Sequence, residues 1–138
     1  MDHRTYLNLR ALFEKGKLIE LEKLLQPFLE KSDLDARFLK THFTVDTNES
    51  DEEVDARQTQ EMMDLSRLLY PKALYVMAWK YHHGDDVERN RSRFLLLLSL
   101  SALLGYKQAS LDLSKEVELE MDWEGIENRI NNLLETTS

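Results

Sequence analysis

The sequence predicts an all-α chain, an α/α solenoid of about three to four helical hairpins, and three observations carry that prediction. Apolar residues recur at three- and four-residue spacing, and no stretch alternates with the two-residue period of a strand. Glycine and proline at Gly16, Pro71, Gly84 and Gly105 fall between these stripes and divide the chain into seven or eight short helices. Ala36, Ala73 and Ala109 open three successive helices at separations of 37 and 36 residues, an internal period that marks a repeat array.

In chain order, Thr5 to Glu14 carries Tyr6, Leu9, Leu12 and Phe13 on one stripe, and Gly16 ends it. Leu18, Leu21, Leu24, Leu25 and Phe28 form the next stripe, with Pro27 placed to kink it or mark its last turn. Ser32 reads as the N-cap of a third helix bearing Ala36, Phe38, Leu39 and Phe43, with Asp35 completing a modified capping box. Thr44 to Asp55 holds six acids and no base, so it reads as an exposed loop. From Ala56 the helical pattern resumes through Met62, Leu65 and Leu69, and Pro71 punctuates it. Two helices flank the polar segment His82 to Asn90, and the second, Ser92 to Leu104, is apolar almost all round and should be the most buried. Ala109, Leu111, Leu113, Val117 and Met121 mark another helix. Asp122 would cap the last one, whose face is Ile126, Ile130, Leu133 and Leu134.

The totals fit one domain, residues 1–138. With 42% hydrophobic and 32% charged residues, the chain can bury a core without a disulfide or metal. It has no cysteine, which removes thiol catalysis and Cys-based zinc sites and fits a reducing compartment. A net charge of −8 opposes binding to phosphate backbones. The N-terminus has no apolar signal region, and the longest apolar run, Phe94 to Leu104, is about half of what a membrane span needs. A cytoplasmic protein is expected.

The repeat has a physical rationale. Stacked hairpins cross at short distance, where a small residue such as alanine avoids overpacking. Tyr70-Pro71-Lys72-Ala73 falls beside Tyr106-Lys107-Gln108-Ala109, and ahead of them Met62, Ser66 and Leu69 correspond to Leu98, Ala102 and Gly105. The pattern Ala73-x4-Ala78-x2-Tyr81-x2-Gly84-x2-Val87-x2-Asn90, followed by Ala102-x2-Gly105-x3-Ala109, resembles the Sel-one-like repeat, a relative of the tetratricopeptide repeat. The chain departs from that family at Asp86, where a second loop glycine is usual, and at Phe94 and Leu97, where alanine and tryptophan are usual. The best repeat spans 73–108 and a weaker one 36–72, with caps at 5–35 and 109–138. This resemblance implies a protein-binding role, often as scaffold or adaptor.

Few residues suggest chemistry. His82-His83-Gly84-Asp85-Asp86 invites a metal reading, but adjacent histidines point apart and the repeat makes this segment a joint. The serines lack a nucleophile elbow, and there is no glycine-rich phosphate loop. Carboxylates occur in solvated runs rather than as isolated pairs in apolar surroundings. No catalytic residue, metal or cofactor is expected, so the chain reads as non-enzymatic. Arg89, Arg91 and Arg93 lack aromatic interleaving and read as surface charges, and Met62-Met63 reads as core.

Charge then directs attention to a protein partner. The acidic loop (Asp46, Glu49, Asp51, Glu52, Glu53, Asp55) and an acidic C-terminal surface (Asp112, Glu116, Glu120) would suit a basic protein. An inhibitor or immunity protein that masks a basic bacterial toxin is the concrete form. The alternative is a scaffold that holds a peptide or helix in the concave face, with Tyr75 and Trp79 as aromatic anchors.

Overall fold

The computed structural model describes residues 1–43, 48–120 and 123–137. Among them are eight helices and no strand: α1 (His3–Glu14), α2 (Leu18–Glu30), α3 (Leu34–Thr41), α4 (Asp51–Arg67), α5 (Pro71–His83), α6 (Arg91–Leu103), α7 (Lys107–Glu120) and α8 (Trp123–Thr137). None is long and apolar enough to cross a membrane.

One turn is used repeatedly to end a helix. Gly16, Ser32, Leu69, Gly84 and Gly105 each take a left-handed conformation, with φ between 56° and 95°. The amide after each donates to a carbonyl five residues back: Lys17 to Leu12, Asp33 to Phe28, Tyr70 to Leu65, Asp85 to Lys80 and Tyr106 to Ser101, at 2.9–3.1 Å. This pairing satisfies carbonyls that the helix end leaves open. Leu69 and Gly105 occupy equivalent places in the sequence repeat, and both are left-handed. Leucine meets a Cβ clash there that glycine does not, and its side chain is 55% exposed. We therefore expect Leu69→Gly to raise stability by up to about 1 kcal/mol, the relieved strain outweighing glycine's extra freedom when unfolded. Urea denaturation checks this, and a loss of stability would contradict it.

Three clusters make the core. The first joins Tyr6 and Leu9 of α1, Leu21 and Leu25 of α2, and Ala36 and Leu39 of α3. The second joins Phe38 of α3, Met62 and Leu65 of α4, and Ala73 and Met77 of α5. The third joins Ala78 of α5, Phe94 and Leu98 of α6, and Ala109, near the start of α7. Each therefore draws on three consecutive helices, with α3 and α5 shared between neighbouring clusters. The extensive helix contacts likewise run between sequence neighbours, from α1 through α7. Ala36, Ala73, Ala78 and Ala109 are fully buried, as the close-approach argument requires.

Four expectations are corrected. Helix α4 starts at Asp51 rather than after Asp55, because Ser50 caps it by accepting a hydrogen bond from the Glu53 amide at 3.2 Å. Asp51, Glu52 and Glu53 then lie in the first turn, where the helix dipole favours negative charge. Thr44–Thr47 of the predicted loop lie outside the described residues. The cap of α3 is Asp33, which accepts from the Ala36 amide, while Ser32 takes the left-handed turn position.

The third correction concerns α6. It buries Phe94, Leu98 and Ser101 but leaves Leu96 and Leu103 exposed, whereas α5 buries Ala73, Leu74, Met77 and Ala78. Helix α5 supplies buried residues to two clusters and so is covered on two sides, while those of α6 serve one. Ser101 is buried without loss, since its hydroxyl donates to the Pro71 carbonyl at 2.7 Å. The fourth is at the C-terminal end. Helix α8 does not bury its apolar face as a cap would: Ile130, Leu133 and Leu134 are exposed, and among the described residues α8 has no extensive contact with another helix. Asp122, its predicted cap, lies outside the described residues.

Candidate binding groove

Helices α1, α3 and α5 turn one side toward a common hollow. Helix α1 supplies His3, Leu7, Arg10 and Glu14, spaced at four, three and four residues and therefore on one helix face. Tyr6 and Phe13 flank that stripe. Phe38, Leu39 and the capping His42 come from α3, Lys72 from α5, and Tyr106 from the turn into α7. Together they line a groove of about 400 Å³.

Its floor is aromatic, and Arg10 and Lys72 stand at its rim. The Lys72 ammonium lies 3.2 Å from the centre of the Tyr6 ring and 3.8 Å from the Asp35 carboxylate. Burial lowers its pKa, and Asp35 opposes that shift. The Tyr70 hydroxyl donates to the same carboxylate, and burial followed by this bond raises its pKa. Asp35 is thus held from two sides. His42 Nδ1 lies 2.7 Å from the Phe38 carbonyl and so carries the proton it donates, which leaves Nε2 for a ligand. His42 also packs edge-on against Phe38, with ring centres 4.5 Å apart. Arg10 meets Glu14 at 3.1 Å across an exposed face, a contact that holds neither strongly. The groove therefore sets Arg10, paired with Glu14, and Lys72, paired with Asp35, beside the imidazoles of His3 and His42.

The aromatic anchors expected from sequence lie elsewhere. Trp79 is half-buried, packing on Phe94 with ring centres 5.0 Å apart and stacking on His83 at 5.7 Å. Its indole nitrogen is buried with no hydrogen-bond partner. Tyr75 packs edge-on against Tyr106 at 5.0 Å, so it supports the groove's edge from behind. Its hydroxyl donates to Asp112 at 2.6 Å. Burial, then this bond, pushes that hydroxyl from an ordinary 10.0 up to about 12. The folded chain then holds the Tyr75 proton more tightly than the unfolded one. The resulting stability is fully present below pH 10 and is lost as pH rises through about 12. Tyr75→Phe should therefore show a shallower loss of stability over this window. Denaturant titrations at several alkaline pH values check it, and identical slopes would contradict it.

The acids expected at a partner surface are distributed among several roles. Glu49 accepts from Arg57 at 3.2 Å, and Asp51, Glu52 and Glu53 start α4. Glu52 and Asp55 border a second hollow of about 380 Å³ with Asp86, which accepts from Thr59 at 3.1 Å and pairs with Lys80 at 3.2 Å. Asp112 is engaged by Tyr75 and Gln108, and Glu116 pairs with Arg91 at 2.8 Å. Asp46 and the Glu120 side chain lie outside the described residues.

His82 and His83 meet edge-on at 4.9 Å, and His82 packs on Phe94 at 4.6 Å. Burial, then the neighbouring His83, lowers the His82 pKa. Among the described residues no three His, Cys, Asp or Glu side chains converge as a metal would need. No protein family, curated protein or solved structure was found to match the chain. The geometry of this molecule therefore carries the functional reading.

Proposed function

We propose that the chain is a non-enzymatic protein-binding module whose groove between α1, α3 and α5 receives a segment of a partner protein. One observation carries this reading: alternate helices converge on a single hollow with an aromatic floor and with Arg10 and Lys72 at its rim. An α/α solenoid of the Sel-one-like kind accounts for that convergence, since each hairpin then presents its first helix to the same side. The shared clusters at α3 and α5 and the matching left-handed turns at Leu69 and Gly105 support the solenoid. The partner segment is a peptide or helix with apolar residues for the floor and carboxylates for the rim.

Selection of displayed peptides on the full chain tests the proposal. Acidic peptides with apolar residues at helical spacing should be enriched, and Leu7→Glu or Arg10→Glu should abolish that enrichment. Both positions are exposed, so these variants should fold. Enrichment indifferent to both would remove the groove from the account.

A second reading is favoured by the acids at the start of α4. Glu52, Asp55 and Asp86 around one hollow suit a basic partner, which an inhibitor or immunity protein would mask as it masks a toxin. Under this reading Glu52→Lys with Glu53→Lys weakens binding of a basic protein at low salt, and Arg10→Glu leaves it unchanged. The reverse pattern dismisses it.

A further inference from the structure

We propose that His82 makes the joint between α5, α6 and α7 acid-sensitive: a proton taken up at its Nδ1 loosens α6 and α7 from α5 and leaves α1 to α3 folded. The placement of this one ring carries the inference. His82 lies in the last turn of α5, and its imidazole meets Phe94 edge-on with ring centres 4.6 Å apart. Trp79 and His83 pack on it at 5.1 and 4.9 Å. Its Nδ1 is buried with no hydrogen-bond partner.

That nitrogen decides which form of the ring fits. A neutral imidazole with its proton on Nε2 presents only a lone pair at Nδ1. Protonation puts a charged N–H there, among aromatic rings and with no acceptor, which costs more than leaving a neutral lone pair unpaired. The surrounding charges act mostly in the same sense. His83 of α5, Arg89 of the connecting turn and Arg91 of α6 oppose a positive charge on His82, and Glu116 of α7 favours it. Glu116 is already engaged by Arg91 at 2.8 Å. Burial, followed by His83, holds the His82 pKa below its ordinary 6.5.

The ring stands where the last helices are fastened. Phe94 packs with Ala78 of α5 and Ala109 of α7, and Ala109 is the one buried side chain of α7 among the described residues. The Arg91 guanidinium already lies 5.1 Å over the Phe94 ring, so an imidazolium there would add a second cation to the same aromatic. Moving His82 out to water uncovers Phe94 and weakens the cluster that holds α7. The cluster that joins α1, α2 and α3 shares no residue with this one.

The direction with pH follows. Above about pH 6.5 His82 is neutral whether the joint is closed or open, and the joint has its full stability. As pH falls through 6.5 the open form takes a proton that the closed form refuses. The ratio of open to closed then rises by up to about tenfold per pH unit, as one proton allows. The rise ends once pH falls through the lowered pKa of the closed form.

Hydrogen exchange of the full chain at about pH 7.5 and about pH 5.5, corrected for the intrinsic pH effect, tests the device. In the wild type, exchange in α6 and α7 should quicken by about two- to tenfold on acidification, while α1 to α3 keep their protection. His82→Gln and His82→Phe, which cannot take this proton, should lose that response, and His83→Gln should keep most of it. A wild type without the response overturns the proposal. So does a response spread evenly along the chain, or one that persists in the His82 variants. Nuclear magnetic resonance of the wild type needs no variant. The His82 ring should titrate with a midpoint below 6.5, and the α7 amides should shift over the same range. A midpoint at or above 6.5, or α7 amides that ignore it, also overturns the proposal.

Discussion

Phe94→Ala is expected to cost about 3–5 kcal/mol, the range for deleting a fully buried aromatic side chain. Phe94 is 0% exposed and packs with Ala78, Leu98 and Ala109 in the third cluster. The rings of Trp79 and His82 meet it at 5.0 and 4.6 Å, and the Arg91 guanidinium lies 5.1 Å over its face. Truncation leaves a cavity between α5, α6 and α7 that the fixed helix backbones close only in part. The site of the damage is as informative as its size. In a chain whose contacts run between neighbouring helices, exchange protection should fall first in α5, α6 and α7 and persist in α1 and α2. Uniform loss of protection along the chain would show that the clusters are not separable.

The second large effect is the mirror of the first. Leu21→Ala should cost about 2–5 kcal/mol, because Leu21 is 0% exposed among Tyr6, Leu9, Leu25 and Leu39. Here exchange should rise in α1, α2 and α3 while α6 and α7 stay protected. Tyr6 belongs both to this cluster and to the groove floor, so the variant should also lose ligand binding. Phe94→Ala should leave binding largely intact, because Phe94 does not line the groove. Urea denaturation gives the size of each loss, and hydrogen exchange gives its place. Equal damage to binding by both substitutions would contradict the placement of the groove.

Much of the fold was legible in the sequence because its breaks rely on residues with few alternatives. Gly16, Pro71, Gly84 and Gly105 stand where the chain turns. Boundaries set by polar residues were harder to read. Ser50-x-x-Glu53 is a capping-box pattern, yet the density of acids around it reads equally as a solvated loop. Ser32 and Asp33 can both cap a helix, and the left-handed turn decides which one does. The apolar run of α6 says that leucines are present, not which side is covered, and Leu96 and Leu103 face outward.

The groove was the least legible feature. Its walls come from positions as far apart as His3 and Tyr106, so only packing brings them together. The one local signal is the mixed stripe His3, Leu7, Arg10 and Glu14, which sits beside the more apolar stripe of Tyr6 and Leu9. Trp79 is a large aromatic that reads as an anchor in the sequence, but in three dimensions it covers Phe94. The acids of α7 read as a charged surface in the sequence, but Asp112 holds Tyr75 and Glu116 holds Arg91.

The most direct test of the groove is hydrogen exchange of the full chain with and without an acidic amphipathic helical peptide chosen by selection. The account predicts new protection in α1, from His3 to Glu14, and around Phe38 to His42, with none gained at the start of α4. Protection appearing instead at Asp51–Asp55, with α1 unchanged, would contradict it.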